Sequence, residues 1–393
     1  MPAFPRPSTP GATFEVSAAV HYTVQVLNPD GSLAFALPRK RNLILDQGLN
    51  LAASHSWVAL FSYAAVGTGT TPVKRDSGLT TFTRSGSTVT ASANFFEAGD
   101  VGRLFKFDSG EECYITGFAD VQNVTVSASG TVAAAEGTVW YVNQTSLTAE
   151  TKRTNTYGGD SGDNGWTFSL GRCINKRTFI FSAESGTVIY NELGWSNTGT
   201  AGANLFGRDV ISGGVSLSAG QQLKVIVELS LSGTPATPTP YTNVVTGWTQ
   251  NGAACVEGIG TASSAVFSWV GSAGNTNEAG DAVLEPSRQK QVILSTNSAA
   301  LINQTTVQQP AAGIIRAKTA GPDSYVTNSF TRTYAVTFGL SEGNSTAIRS
   351  LYLAGNGFNV GLRILLDAAE TKDSSHTLTL TFRLTWGRVL SNT

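Results

Sequence analysis

The chain has 393 residues, enough for two or three packed units, yet only 13% are charged while 41% are hydrophobic. Gly, Ser, Thr and Asn fill the gap, a composition that excludes a mainly helical protein and favours a turn-rich β one. A net charge of −1 excludes a global field attracting nucleic acid or an anionic membrane, and no apolar run is long enough to span a bilayer.

Residues 1–13, MPAFPRPSTPGAT, place Pro at positions 2, 5, 7 and 10 and lack the apolar stretch of a signal peptide. Prolines pre-order such a segment as an extended arm, in which Phe4 would anchor on a neighbouring subunit and Arg6 would stay at the rim. FEVSAAVHYTVQVL (Phe14 to Leu27) reads as a long strand, PDGS as its turn and LAFAL (Leu33 to Leu37) as the return strand of a hairpin. Helical pattern is scarce. The best candidate lies within NLILDQGLNLAAS (Asn42 to Ser54), broken or ended near Gly48. VGTGTTP (Val66 to Pro72) suits a tight surface turn leaving a strand.

From Leu79 to Thr148 the runs STVTASA, RLFKFD, EECYITGFA, NVTVSAS and TVWYVNQ are short and separated by turn residues. That spacing predicts a small barrel or sandwich, inserted between strands of the surrounding unit at little loop-closure cost. RTFIFSA, TVIYNELGW and QLKVIVELSLS then complete the interrupted sandwich. SGTPATPTPYT (Ser232 to Thr242) carries Pro235, Pro238 and Pro240 and reads as a linker. Beyond it come TRTYAVTFGL and HTLTLTFRLTW, the latter with Leu378, Leu380, Phe382, Leu384 and Trp386 on one face. The two halves align weakly: Arg177 with Arg332, Arg208 with Arg363 and Leu223 with Leu378, all 155 positions apart. The expected fold is all-β, with two related antiparallel β-sandwich domains joined by a Pro-rich linker, the first carrying an inserted small β-barrel-like domain. The boundaries are an arm at 1–13, a first sandwich at 14–78 plus 149–232, an insert at 79–148, a linker at 233–242 and a second sandwich at 243–393.

One stretch looks like chemistry. Gly159-Asp160-Ser161-Gly162 spells the GDSG around the nucleophile of chymotrypsin-like serine hydrolases, and His55 and Asp100 precede it in that family's order. The surroundings depart from the family. Asp163 and Asn164 follow where Gly and Pro belong, and Ser54 precedes His55 in a weak helix candidate. Ser161, His55 and Asp100 are therefore rejected as a catalytic set, and YGGDSGDNGW reads as a solvated loop. Cys113, Cys173 and Cys255 form no CxxC pair, which argues against a zinc site or a disulfide framework and for a reducing compartment. The 3 histidines, His21, His55 and His376, are too scattered for a metal. DSGEE (Asp108 to Glu112) reads as a turn, and no phosphate or dinucleotide fingerprint appears, so no cofactor is expected. Carbohydrate binding would need exposed aromatics among Trp57, Trp140, Trp166, Trp195, Trp248, Trp269 and Trp386.

After the N-terminal hairpin, five stretches recur in order: NLILDQGLN (Asn42 to Asn50), AVGTGTTPV (Ala65 to Val73), YNELGWSN (Tyr190 to Asn197), NLFGRDVI (Asn204 to Ile211) and LSAGQQLKVIVEL (Leu217 to Leu229). The series resembles tailed-bacteriophage virion structural proteins of the tail, tail-fibre and minor structural group, over most of residues 14–232. FFEAGDVGRLFKFDSGEECYITGF (Phe95 to Phe118) is similar to small β-modules of phage fibres. The resemblance implies a non-enzymatic component of the tail (fibre, adaptor or baseplate region), with a capsid decoration or head-fibre protein as the alternative. It implies a virion location after assembly in the host cytoplasm. The implied partners are copies of the chain itself, as a threefold or sixfold homo-oligomer, and other virion proteins. A host-surface glycan is a further partner, while nucleic acid and membrane insertion are not expected.

Overall fold

The structure, a computed structural model, describes residues 12–158, 165–169, 172–234, 239–245, 248–257, 286–287, 289–299, 313–354 and 361–390. The expected arm residues Phe4 and Arg6, and Ser161, lie outside them.

The first strand, β1 (Ala12–Leu27), alternates strictly. Phe14, Val16, Ala18, Val20, Tyr22, Val24 and Val26 are buried, and the residues between them are not. A turn leads to β2 (Leu33–Ala36), as the hairpin reading expects, and then to β3 (Lys40–Ile44), helix α1 (Asp46–Ala52) and β4 (Tyr63–Gly67). Gly48 lies inside α1 and does not end it. A Cβ there would overlap the Phe206 carbonyl oxygen, so glycine is what lets the helix lie against the sheet.

Next come β5 (Lys74–Asp76), β6 (Phe82–Ser85), β7 (Thr88–Ala91), β8 (Leu104–Phe107), β9 (Glu112–Phe118), β10 (Asn123–Val126), β11 (Val132–Ala135) and β12 (Gly137–Trp140). They form an 8-stranded sheet in the order β11-β6-β7-β10-β9-β8-β12-β5. Its core is a cluster of edge-to-face rings, Phe82, Phe95, Phe96, Phe105 and Phe107. The sheet ends at β11 and β5, so no barrel is closed, in contrast to the barrel-like expectation. It also starts earlier than Leu79, because the charged strand β5 pairs with β12.

The chain then forms β13 (Glu150–Thr154), β14 (Gly165–Ser169), β15 (Arg172–Ile180), β16 (Val188–Ser196), β17 (Leu205–Leu217) and β18 (Gln222–Thr234). With the earlier strands they give the order β13-β4-β16-β17-β3-β1-β18-β15-β14. The remaining strands are β19 (Thr239–Val245), β20 (Trp248–Glu257), β21 (Lys290–Ser295), β22 (Ile314–Ala320), β23 (Thr331–Phe338), β24 (Ser345–Ala354), β25 (Gly361–Lys372) and β26 (Leu378–Arg388). Six of them form a sheet in the order β19-β20-β25-β24-β21-β22. Of the expected linker, Gly233 and Thr234 end β18 and Thr239 opens β19; residues 235–238 lie outside the described residues.

The remaining two, β23 and β26, depart from a picture of two separate halves. β26 pairs with β23 on one side and in parallel with β1 on the other, from Ala12 opposite Phe382 to Ala18 opposite Arg388. One apolar core therefore runs from Phe14 and Tyr22 through Trp195 to Leu353, Leu362 and Trp386. If a protease site is placed between Thr234 and Thr239 and cut, the two pieces are expected to co-elute in gel filtration and to separate only in denaturant. Separation in native buffer would show that the β1–β26 ladder and the shared core do not hold them.

Candidate functional site

His55 and Asp100, two of the three residues that sequence order aligned as a triad, each bond other partners. Asp100 is fully buried in a 3₁₀ turn (Ala98–Asp100) of the inserted sheet. Its Oδ2 accepts Arg75 Nη2 at 2.5 Å and the Glu97 N–H at 2.9 Å, and its Oδ1 accepts Arg103 Nη1 at 2.7 Å. Both oxygens are thus committed to holding the turn between β7 and β8. His55 sits in the turn after α1, its Nδ1 within 2.9 Å of Ser54 Oγ and 3.3 Å of the Leu51 carbonyl. Ser161 lies outside the described residues.

The most strongly built polar centre is one that sequence reading missed. Glu192 on β16 and Arg208 on β17 are both fully buried, and Arg208 Nη2 lies 2.8 Å from Glu192 Oε2. The carboxylate also accepts the Ala149 N–H at 2.6 Å and the Thr148 N–H at 3.0 Å. Arg208 donates to Gln144 Oε1 and to the Thr71 carbonyl, both at 2.8 Å. Residues 71 and 144–149 are where the chain enters and leaves the inserted sheet, so this pair fixes the insert to the sheet beneath it. VGTGTTP leaves β4 as a largely exposed turn, as expected, and is gripped at the Thr71 carbonyl. The signal in the sequence was a charged residue amid apolar neighbours, in ELGW and FGRDV, in a chain poor in charge. Burial pushes the Glu192 carboxyl up, but the two N–H donors and Arg208 outweigh it and hold the group below the usual carboxylate value.

A second polar centre surrounds α1. Arg388, at the end of β26, pairs with Asp46 and donates to the Ile44 carbonyl at 2.6 Å. Tyr114 of the insert donates to Asp46 Oδ1 at 2.9 Å, and burial holds its phenol well above the usual tyrosine value. Trp386 Nε1 donates to the Leu49 carbonyl at 2.8 Å, and Tyr325 and Asn328 both bond Asn50. The helix thus gathers the insert, the first sheet and the last strand at one point.

A shallow cleft of about 310 Å³ lies beside β13, lined by Tyr63, Lys152, Arg153, Thr156, Phe181 and Ser182. Its cations are already used: Lys152 pairs with Glu184 at 2.6 Å and Arg153 with Glu150 at 2.8 Å. Trp57, Trp140, Trp195 and Trp386 are all buried in cores, so none of them offers a face to a sugar. The side chains of Trp166, Trp248 and Trp269 lie outside the described residues. Among the described residues, no group of three His, Cys, Asp or Glu side chains is placed to hold a metal ion. Among them, too, no helix is long and apolar enough to cross a membrane. Cys113 and Cys173 are buried, and burial pushes the Cys113 thiol up to about 11.

No family model, no curated protein and no solved structure matches this chain.

Glu192→Gln keeps the shape of the buried centre and removes its charge. Breaking a buried pair by removing one partner costs about 3–5 kcal/mol, which urea unfolding at neutral pH should register. The Glu192 carboxyl is depressed on folding, so its contribution is complete above the ordinary value of 4.5 and fades as pH falls through the lower folded value. The gap between variant and wild type should therefore narrow in acid. A gap that is constant with pH, or absent throughout, would show that the charge is not what holds the loops.

Proposed function

We propose that this chain is a non-enzymatic structural component of a bacteriophage virion, in the tail, acting through contacts with copies of itself and with other virion proteins. The observation that carries the reading is how the ionised groups are used. Asp100, Glu192 and the Asp46–Arg388 pair each tie one stretch of chain to another, as a load-carrying β protein requires and a catalytic centre does not. The ordered series of motifs resembling tail and minor structural proteins supports it. The burial of four tryptophans favours an architectural role over glycan recognition. The head-decoration alternative shares all of this support and differs only in location.

The same reading takes the chain as two related sandwiches. The succession β13-β4-β16-β17-β3 is matched by β22-β21-β24-β25-β20. Arg208 on β17 and Arg363 on β25 are both fully buried. Arg208 grips the loop leaving β4 through the Thr71 carbonyl. Arg363 grips the loop leaving β21 through the carbonyls of Asn297 and Ala299, at 3.2 and 2.6 Å. Where Arg208 meets Glu192, Arg363 meets Ser350, its Nε 3.2 Å from Oγ. A duplicated sandwich that has kept its arginine and lost its carboxylate accounts for both.

Two measurements test the assignment. Gold-labelled antibody against the chain is expected to mark virion tails; labelling confined to heads would favour decoration, and unlabelled virions would refute the reading. Deleting residues 2–11 removes Phe4 and Arg6 but leaves Ala12, which pairs with Phe382. That variant should melt as the full chain does and enter particles at lower occupancy. Unchanged occupancy would leave the arm without a role in assembly. A fluorophosphonate probe is expected to leave Ser161 unlabelled, and stoichiometric labelling lost in Ser161→Ala would overturn the non-enzymatic reading.

A further inference from the structure

Two stretches near opposite ends of the sequence meet in one parallel ladder. Ala12, the first residue of β1, faces Phe382, and Arg388, the last residue of β26, faces Ala18. The chain therefore enters β1 at one end of the seven facing pairs and leaves β26 at the other. Tension applied before Ala12 and after Arg388 pulls the two strands lengthwise past each other. The hydrogen bonds of a parallel ladder are evenly spaced along the strands. Under that pull they are strained together, and the barrier is that of breaking several at once. A pull on both strands from the same end would part them one bond at a time. Resistance to forced unfolding follows the unfolding rate, and so the barrier, not the equilibrium stability.

The surroundings stiffen this ladder. Neither strand is an edge: β18 flanks β1 from Glu15 to Leu27, and β23 flanks β26 from Leu378 to Thr385. Phe14 faces Leu384 and Val16 faces Trp386, and all four are buried. Sliding one strand along the other would break that packing and turn core side chains outward. The exit end is tied most firmly. The Val389 N–H donates to the Ala18 carbonyl at 2.9 Å, one bond beyond the ladder. Trp386 Nε1 donates to the Leu49 carbonyl at 2.8 Å, and Arg388 pairs with Asp46 and donates to the Ile44 carbonyl at 2.6 Å. β26 is anchored where tension would leave it.

We propose that the paired segments of β1 and β26 are a mechanical clamp, through which the chain transmits tension from one end of its sequence to the other without unfolding. The path of the force is short. It enters at Ala12, crosses the ladder and leaves at Arg388. The inserted sheet, and the stretch between β18 and β19, belong to the sequence between the two clamp strands. They lie off that path for as long as the ladder holds. The clamp deepens the load-carrying reading above and rests on it in one respect, the source of the tension: an arm before Ala12 held by a neighbouring subunit would supply it.

Single-molecule force spectroscopy on the full chain tests the clamp. With handles at Met1 and Thr393 the load is lengthwise, and one main rupture is expected with no lengthening before it. Ser374 is exposed in the turn that precedes β26. Moving the second handle there through Ser374→Cys puts both attachments at the Ala12–Phe382 end, so that the ladder opens pair by pair. The substitution should leave the melting temperature unchanged. At one pulling speed the Met1–Thr393 geometry should need roughly twofold more force, or higher still, than the Met1–Ser374 geometry. Equal forces in the two geometries, or stepwise lengthening before the main rupture in the first, would overturn the clamp and leave the virion assignment standing. Virions that carry none of the chain would remove that assignment, while a high lengthwise rupture force would still establish the clamp.

Discussion

Everything in this molecule is hung on one strand. β1 gives Glu15 to Leu27 on one side to β18, and divides the other side among β26, β3 and β2 in turn. Its buried face is continuous from Phe14 to Val26, so a slip of one residue would turn seven core side chains to solvent. That penalty fixes the register of four neighbours at once. Through β3 it reaches β17, β16 and β4, since β3 also pairs with β17 at Leu43 and Ile44. Through β26 it reaches the second half of the chain. Neither half can loosen without disturbing the strand that orders the other.

The few buried charges fit the same logic. Taking Glu192 and Arg208 out of water costs more than their attraction alone returns, and hydrophobic replacements of equal volume would be at least as stable in principle. What an ion pair adds is direction. Glu192 recognises two particular N–H groups and Arg208 one particular carbonyl, so the loops bearing Thr71 and Thr148 have a single seat. Asp100 does the same for the turn before β8, and Arg388 with Asp46 and Tyr114 for the approach of the insert to α1. A chain with few charges has placed several of them where loops must be held still.

How much of this could be read from the residues differs from element to element. β1 and β26 were legible because one face is buried and the other is not, which writes a period of two into the sequence. The hairpin to β2 was legible from its turn. The charged strand β5 was not, because KRD carries no apolar alternation, and the start of the insert was placed too late for that reason. The parallel pairing of β26 with β1 joins segments at opposite ends of the chain, and no local pattern encodes a partner so distant. Gly48 looked like a helix stop, since glycine is a poor helix former. Its real reason, the Phe206 carbonyl, exists only in three dimensions. Glu192 and Arg208 stood out only as oddities in apolar strands, and their partners, the loop backbone, leave no mark in the sequence.

The position of β26 also bears on the order in which the molecule can be completed. It is synthesised after every other described strand, yet it fills the edge of the first. Until it emerges, the Ala12–Ala18 edge of β1 lacks its neighbour, and the core lacks Phe382, Leu384 and Trp386. Arg388 is also missing from Asp46, and with it a tie to the insert. A ribosome that stops early therefore releases a chain with an open ladder and an unfilled core, the features that quality-control machinery and neighbouring edges recognise. Closure of the β1 edge amounts to a built-in check that translation has reached β26 before the body can settle.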